Sequence, residues 1–222
     1  MRRIHHVGVV VERLSEAYRF YRAVLGLPIL REAELPDQGV RAALLGAGDS
    51  EIELLEPLGP DTPVGRFLAR RGEGLHHLCF DTADVTASLA ALKARQVELT
   101  TPRDDGHAVP AAPLRLKRLV IGADDVRATS GLFQSLFGLS EVAMNAGPRS
   151  MLSVGRGTLL VVPRDEVGGT EGMVALSLVA ENFAALTAAF ERAGTQRLQG
   201  TGEVTVEPSA SHGVHLHISR YE

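Results

Sequence analysis

The sequence predicts an α+β protein built from tandem βαβββ units, the second of them cut short. Three observations carry this expectation. Short β-branched apolar runs alternate with stretches of helical apolar spacing. Glycine, proline and aspartate turns punctuate them. The pattern of the first unit also returns without gaps at an offset of 112 residues.

Ile4 to Val11 is short, β-branched and apolar, and reads as a strand. Ser15 to Leu25 carries apolar residues at helical spacing, with Ser15 as N-cap and Gly26 as stop. Strand-like runs follow near 28–34, 39–46 and 50–56, separated by the turns Pro36-Asp37-Gln38-Gly39 and Gly46-Ala47-Gly48-Asp49. The second unit opens with a strand, Leu75 to Phe80, and an Ala/Leu-rich helix, Asp84 to Arg95. Val97-Glu98-Leu99 then begins another strand. Pro102 to Pro113, with three prolines and an Asp-Asp-Gly, breaks the pattern as a linker. In the third unit Leu116 to Ile121 answers Ile4 to Val9, and Leu136-Phe137-Gly138-Leu139 answers Val24-Leu25-Gly26-Leu27. A fourth unit runs through a strand, Met173 to Val179, a helix, Phe183 to Ala193, and strands at Glu203 to Glu207 and Gly213 to Ser219. The expected division is a first half over 1–101, a linker over 102–114 and a second half over 115–222.

With 45% hydrophobic and 23% charged residues, the 222-residue chain has ordinary globular composition and ample core material. Lys+Arg of 23 against Asp+Glu of 27 leaves a net charge of −4 with no basic run, which argues against nucleic acid and anionic membranes as partners. The lone cysteine, Cys79, excludes a disulfide framework and an all-cysteine metal cluster. No apolar stretch approaches the roughly 20 residues of a membrane span. The N-terminus carries no apolar signal region, so a cytoplasmic location is expected.

The histidines are more specific. The doublets His5-His6 and His76-His77 occupy equivalent places in their units, 71 residues apart. Side chains alternate along a strand, so one histidine of each doublet faces the concave side of the sheet. The strand Glu51-Ile52-Glu53-Leu54-Leu55-Glu56 sets a carboxylate among apolar neighbours, where a cation is its natural partner. Two imidazoles and a carboxylate make a mixed N/O site for a divalent ion such as Ni, Zn, Co, Mn or Fe.

Ile4 to Val11, Gly39-Val40, Ile52-Glu53-Leu54-Leu55-Glu56-Pro57 and Gly72-Glu73-Gly74-Leu75-His76-His77-Leu78 resemble the vicinal oxygen chelate (glyoxalase) superfamily. Within it they are most similar to the methylmalonyl-CoA epimerases. The resemblance is dense over 4–100 and returns weakly at Pro208 to His217. It implies cupped mixed sheets, and a divalent metal held by His6, Glu53 and His77. At the family's fourth ligand, a glutamate that also serves in proton transfer, this chain has His217; a second acidic position falls on Ala42. The second half lacks the ligand set: Arg118 stands where His6 does, Leu159 near the place of Glu53, and Ala175 at that of His77.

The function the resemblance implies is metal-dependent proton transfer next to the carbonyl of an acyl-CoA or similar compound. His217 would complete the site and shuttle the proton. A glyoxalase I-type lyase or isomerase is a second reading, and a metal-free protein that sequesters a small ligand is a third. Superfamily members often pair through edge strands, so a homodimer is an expectation as well.

Overall fold

The computed structural model describes residues 1–95, 112–144 and 147–221. The first half comprises β1 (Arg3–Val10), α1 (Leu14–Tyr21), β2 (Ile29–Leu35), β3 (Val40–Ala47), β4 (Ser50–Pro57), α2 (Pro63–Arg71), β5 (Gly74–Asp81) and α3 (Val85–Ala94). Its five-stranded sheet has the order β2-β3-β4-β1-β5, with β1 parallel to β4 and antiparallel to β5. This is one complete βαβββ unit with the opening strand of a second beside it. The segment expected to continue the second unit, from Val97 through most of the 102–114 linker and including His107, lies outside the described residues.

The second half comprises β6 (Leu114–Ala123), α4 (Val126–Phe137), β7 (Ser140–Val142), β8 (Ser150–Val154), β9 (Gly157–Pro163), β10 (Gly172–Ala180), α5 (Phe183–Ala193), β11 (Leu198–Gly200), β12 (Glu203–Val206) and β13 (His215–Ser219). Two complete units join here through the antiparallel β6–β10 pair. They form one eight-stranded sheet, β11-β12-β13-β10-β6-β9-β8-β7. The architecture is α+β with mixed sheets, as the repeat predicts.

Alternation along each strand sends one set of side chains into a single buried cluster shared by both halves. Val7 and Val9 of β1, Leu119 and Ile121 of β6, Leu176 and Leu178 of β10, and Leu216 and Ile218 of β13 meet Tyr21 of α1 and Phe190 of α5 there. Each sheet therefore turns its other face away from this common core. On that other face of the first sheet, Val10, Val40, Ala42 and Leu55 pack against Val64 of α2, which closes one end of the cup.

The start of α1 corrects a local expectation. Ser15 is not its cap; the helix begins at Leu14 after Arg13, which makes no side-chain capping bond. The Leu14 amide instead donates to Glu56 Oε2 of β4 at 2.7 Å. A carboxylate 42 residues away satisfies the helix end, a tertiary substitute that local sequence cannot announce. Glu56→Ala is expected to cost about 1 kcal/mol, the usual worth of a cap, read as a lowered denaturation midpoint.

The halves are clamped by the turn before β13. Tyr21 donates through its hydroxyl to the Ser211 carbonyl at 3.1 Å, and its complete burial pushes the phenol pKa far up. His212 pairs with Glu73 at 2.9 Å across the same junction.

Candidate metal centre

The site is built on register. Gly8 of β1 stands opposite Glu53 on β4 and opposite His77 on β5, so these two side chains flank one strand at one level. His6, two residues earlier on β1, shares their face. Its Nε2 lies 3.0 Å from His77 Nε2 and 3.6 Å from Glu53 Oε2, and His77 Nε2 lies 3.2 Å from the same oxygen. Glu53 is 1% exposed and His6 6%. A carboxylate removed from water this completely calls for compensating positive charge. The three donor atoms lie within 4.8 Å of one another as a mixed N/O set, so the residues present fit a divalent cation.

Gly8 makes that convergence possible. A Cβ at this position would fall 2.4 Å from the His77 ring. Gly8→Ala is therefore expected to displace the His77 imidazole and weaken divalent-metal binding by about 10-fold, comparable to losing an orienting contact. Dye-competition titration would check this, with circular dichroism confirming an unchanged fold.

The doublets depart from simple alternation. Irregularities in the β1–β5 ladder fall between Ile4 and His6 and between Gly8 and Val9, and such bulges re-aim side chains. His5 Nδ1 consequently reaches His6 Nδ1 at 2.8 Å, and His76 Nδ1 reaches His77 Nδ1 at 3.0 Å. Each doublet turns both rings toward one cluster instead of opposite ways. Burial, and secondarily the neighbouring His77, lower the His76 pKa against the opposing pull of Glu53. His76 thus remains neutral at pH values where an ordinary histidine begins to charge.

His217 does not join the three. β13 pairs with β10 of its own unit, Ser177 opposite His217, just as β4 pairs with β1. Leu216 and Ile218 enter the shared core, so His217 lies on the outer face of the second sheet, 3.2 Å from Glu203. The expected fourth ligand and proton shuttle is corrected: β13 completes the second sheet, not the first cup.

The equivalent level of the second sheet also shifts one assignment. Val120 faces Leu160, not Leu159, at the place matching Gly8 and Glu53, and Ala175 matches His77. Arg118 donates to Thr158 at 3.3 Å in place of a ligand histidine. His5 and Cys79, outside the ligand set expected from the sequence, are neighbours of the centre. Cys79 stands directly opposite His6 in the β1–β5 ladder, on the face that its even spacing from His77 predicts.

The adjacent arginines at the end of α2, Arg70 and Arg71, turn to different surroundings. Arg70 donates to the carbonyl of Arg66 in its own helix. Arg71 borders a cavity of about 420 Å³ between the halves, lined also by His76, Phe67, Phe80, Phe133 and Met173.

Among known proteins, residues 5–112 match the family model of the Glyoxalase/Bleomycin resistance protein/Dioxygenase superfamily. The chain is 33% identical over 119 residues to an ethylmalonyl-CoA/methylmalonyl-CoA epimerase of Cereibacter sphaeroides, covering 52% of this chain and 89% of that one. It is 39% identical over 99 residues to the uncharacterized protein YqjC of Bacillus subtilis, covering 45% and 71%. Against the mouse mitochondrial methylmalonyl-CoA epimerase the identity is 36% over 96 residues, covering 43% of this chain and only 54% of that one. A Streptomyces coelicolor 4-hydroxymandelate synthase variant shares the fold across both halves, with a TM-score of 0.69 at 14% identity over 97% of this chain and 91% of that one. On this evidence the chain belongs to the Glyoxalase/Bleomycin resistance protein/Dioxygenase superfamily.

Proposed function

We propose that the protein is a metal-dependent enzyme of this superfamily that moves a proton on the carbon next to the carbonyl of an acyl-CoA. The convergence of His6, Glu53 and His77 on one point carries the reading. The epimerases among its relatives supply the substrate class. Bound by the three donors, a divalent ion supplies Lewis acidity toward a carbonyl oxygen. The chain's own contribution is geometric and electrostatic. Glu53 offsets cationic charge from a buried position, and Gly8 leaves room for His77 to approach. The apolar patch of Val10, Ala42 and Leu55 keeps water from one end of the cup.

The positions where the epimerase resemblance implies proton-handling carboxylates hold Ala42, which lies in that apolar patch, and His217, which lies on the other sheet. An imidazole takes the role instead. His76, held neutral and adjoining both His77 and the cavity beside β5, is our assignment for the base. Solvent-deuterium exchange into methylmalonyl-CoA tests this. The metal-loaded protein should exchange the proton next to the carbonyl, and His76→Asn should slow exchange while retaining metal. Turnover of a glutathione hemithioacetal without exchange would favour glyoxalase I-type chemistry. The loss of both carboxylates is the observation favouring a sequestering protein; saturable acyl-CoA binding without exchange would select that reading.

No described helix is long and apolar enough to cross a membrane.

A further inference from the structure

Beyond the triad, β1 and β5 bring together a second set of donors. One atom each from His5, His6 and Cys79 lies within 4.8 Å of the others. The His6 ring links the two groups. Its Nδ1 is 2.8 Å from His5 Nδ1, while its Nε2 faces Glu53 and His77. Glu51, fully buried on β4, brings a carboxylate oxygen to 4.0 Å from His5 Nδ1. A thiol, two imidazoles and an adjacent carboxylate are the donor chemistry of a zinc-type site, not of a magnesium or calcium site.

We propose that the first cup has a second, thiolate-bearing cation position formed by His5, Cys79 and the Nδ1 side of His6, with His6 bridging it to the triad. The charges balance in this half-buried place. Filling the position with a divalent ion releases the Cys79 thiol proton and the remaining ring proton of His6, so two positive charges enter and two leave. Glu51 then offsets residual positive charge at its edge. The position goes beyond the acyl-CoA reading and is separable from it, because its signature is the thiolate.

Cys79 is the chain's single cysteine, so any thiolate-to-cobalt absorption reports this position alone. The test is titration of the metal-stripped, reduced full chain with Co²⁺ alone. The expected result is two equivalents bound, with a thiolate-to-cobalt charge-transfer band in the near ultraviolet. Cys79→Ser should abolish the band and lower the stoichiometry from two to one. His5→Gln should also leave one equivalent, which keeps the test alive if the serine variant fails to fold. His77→Ala should remove the other equivalent and keep the band. One equivalent with the band in the unaltered chain would support the thiolate position and count against the triad on which the proposed function rests. One equivalent without the band would leave the triad standing and overturn the second position.

Discussion

Replacing Glu53 with leucine is expected to lower divalent-metal affinity at the triad by more than about 100-fold, beyond the penalty for losing an outer-shell contact. It should do so without unfolding the protein. Glu53 sits on the centre of β4, 1% exposed, and touches both His6 and His77. In the metal-free state its charge is costly to keep from water, and a leucine of similar volume removes that cost. The variant should therefore melt no lower than the parent in the presence of a chelator. It should also lose the stabilisation that added metal gives the parent. Calorimetric melting with and without metal reads both effects together. Equal metal stabilisation of parent and variant would reject Glu53 as a ligand. A large loss of stability with chelator present would mean that the carboxylate serves the fold and not an ion.

Gly213→Ala is expected to destabilise the whole protein by about 3–5 kcal/mol, in the range of the larger single-residue effects. Gly213 has φ of +76°, and a Cβ there would fall 1.8 Å from the Glu73 carbonyl oxygen. The neighbour is backbone at the mouth of β5 and cannot rotate aside. This contact joins the turn before β13 to the first half, next to the Tyr21–Ser211 and His212–Glu73 bonds. A control separates the clash from the dihedral. Gly168 has a similar φ of +67° with nothing within 4 Å of an added Cβ. Gly168→Ala should cost only about 1–2 kcal/mol, the strain of a left-handed residue. Chemical denaturation of the two variants gives the comparison, and equal losses would show that packing at Gly213 adds nothing to the strain.

Much of the architecture was legible along the chain because its signals are local or periodic. The β1, β5, β6 and β10 strands are short apolar runs, α3 and α5 are Ala-rich and capped by Asp84 and Asn182, and the repeat lets each unit vouch for the others. Boundaries failed where a distant group intervened, as when Glu56 took over the end of α1 that Ser15 was expected to cap. In the candidate centre, residue type and position in the repeat pointed to one histidine of each doublet and a mid-strand carboxylate, and the resemblance to the glyoxalase superfamily singled out His6, Glu53 and His77. The ladder bulges that turn His5 and His76 toward the same cluster were not legible. They depend on how two strands 71 residues apart settle against each other, not on either strand's own alternation.

The amino-acid order by itself determined the α+β class, the unit repeat, and the placing of a histidine doublet on each of two equivalent strands with a carboxylate in the middle of a third. These follow from periodicity and from the cost of burying charge, both written into short stretches. Only the tertiary structure decided which sheet receives the last strand. Pairing of β13 with β10 satisfies its backbone and sends Leu216 and Ile218 into the common core, and that choice carries His217 to the other sheet. Strand partnership is a competition among distant edges for hydrogen bonds and apolar contact, and a residue's destination is settled by the winner.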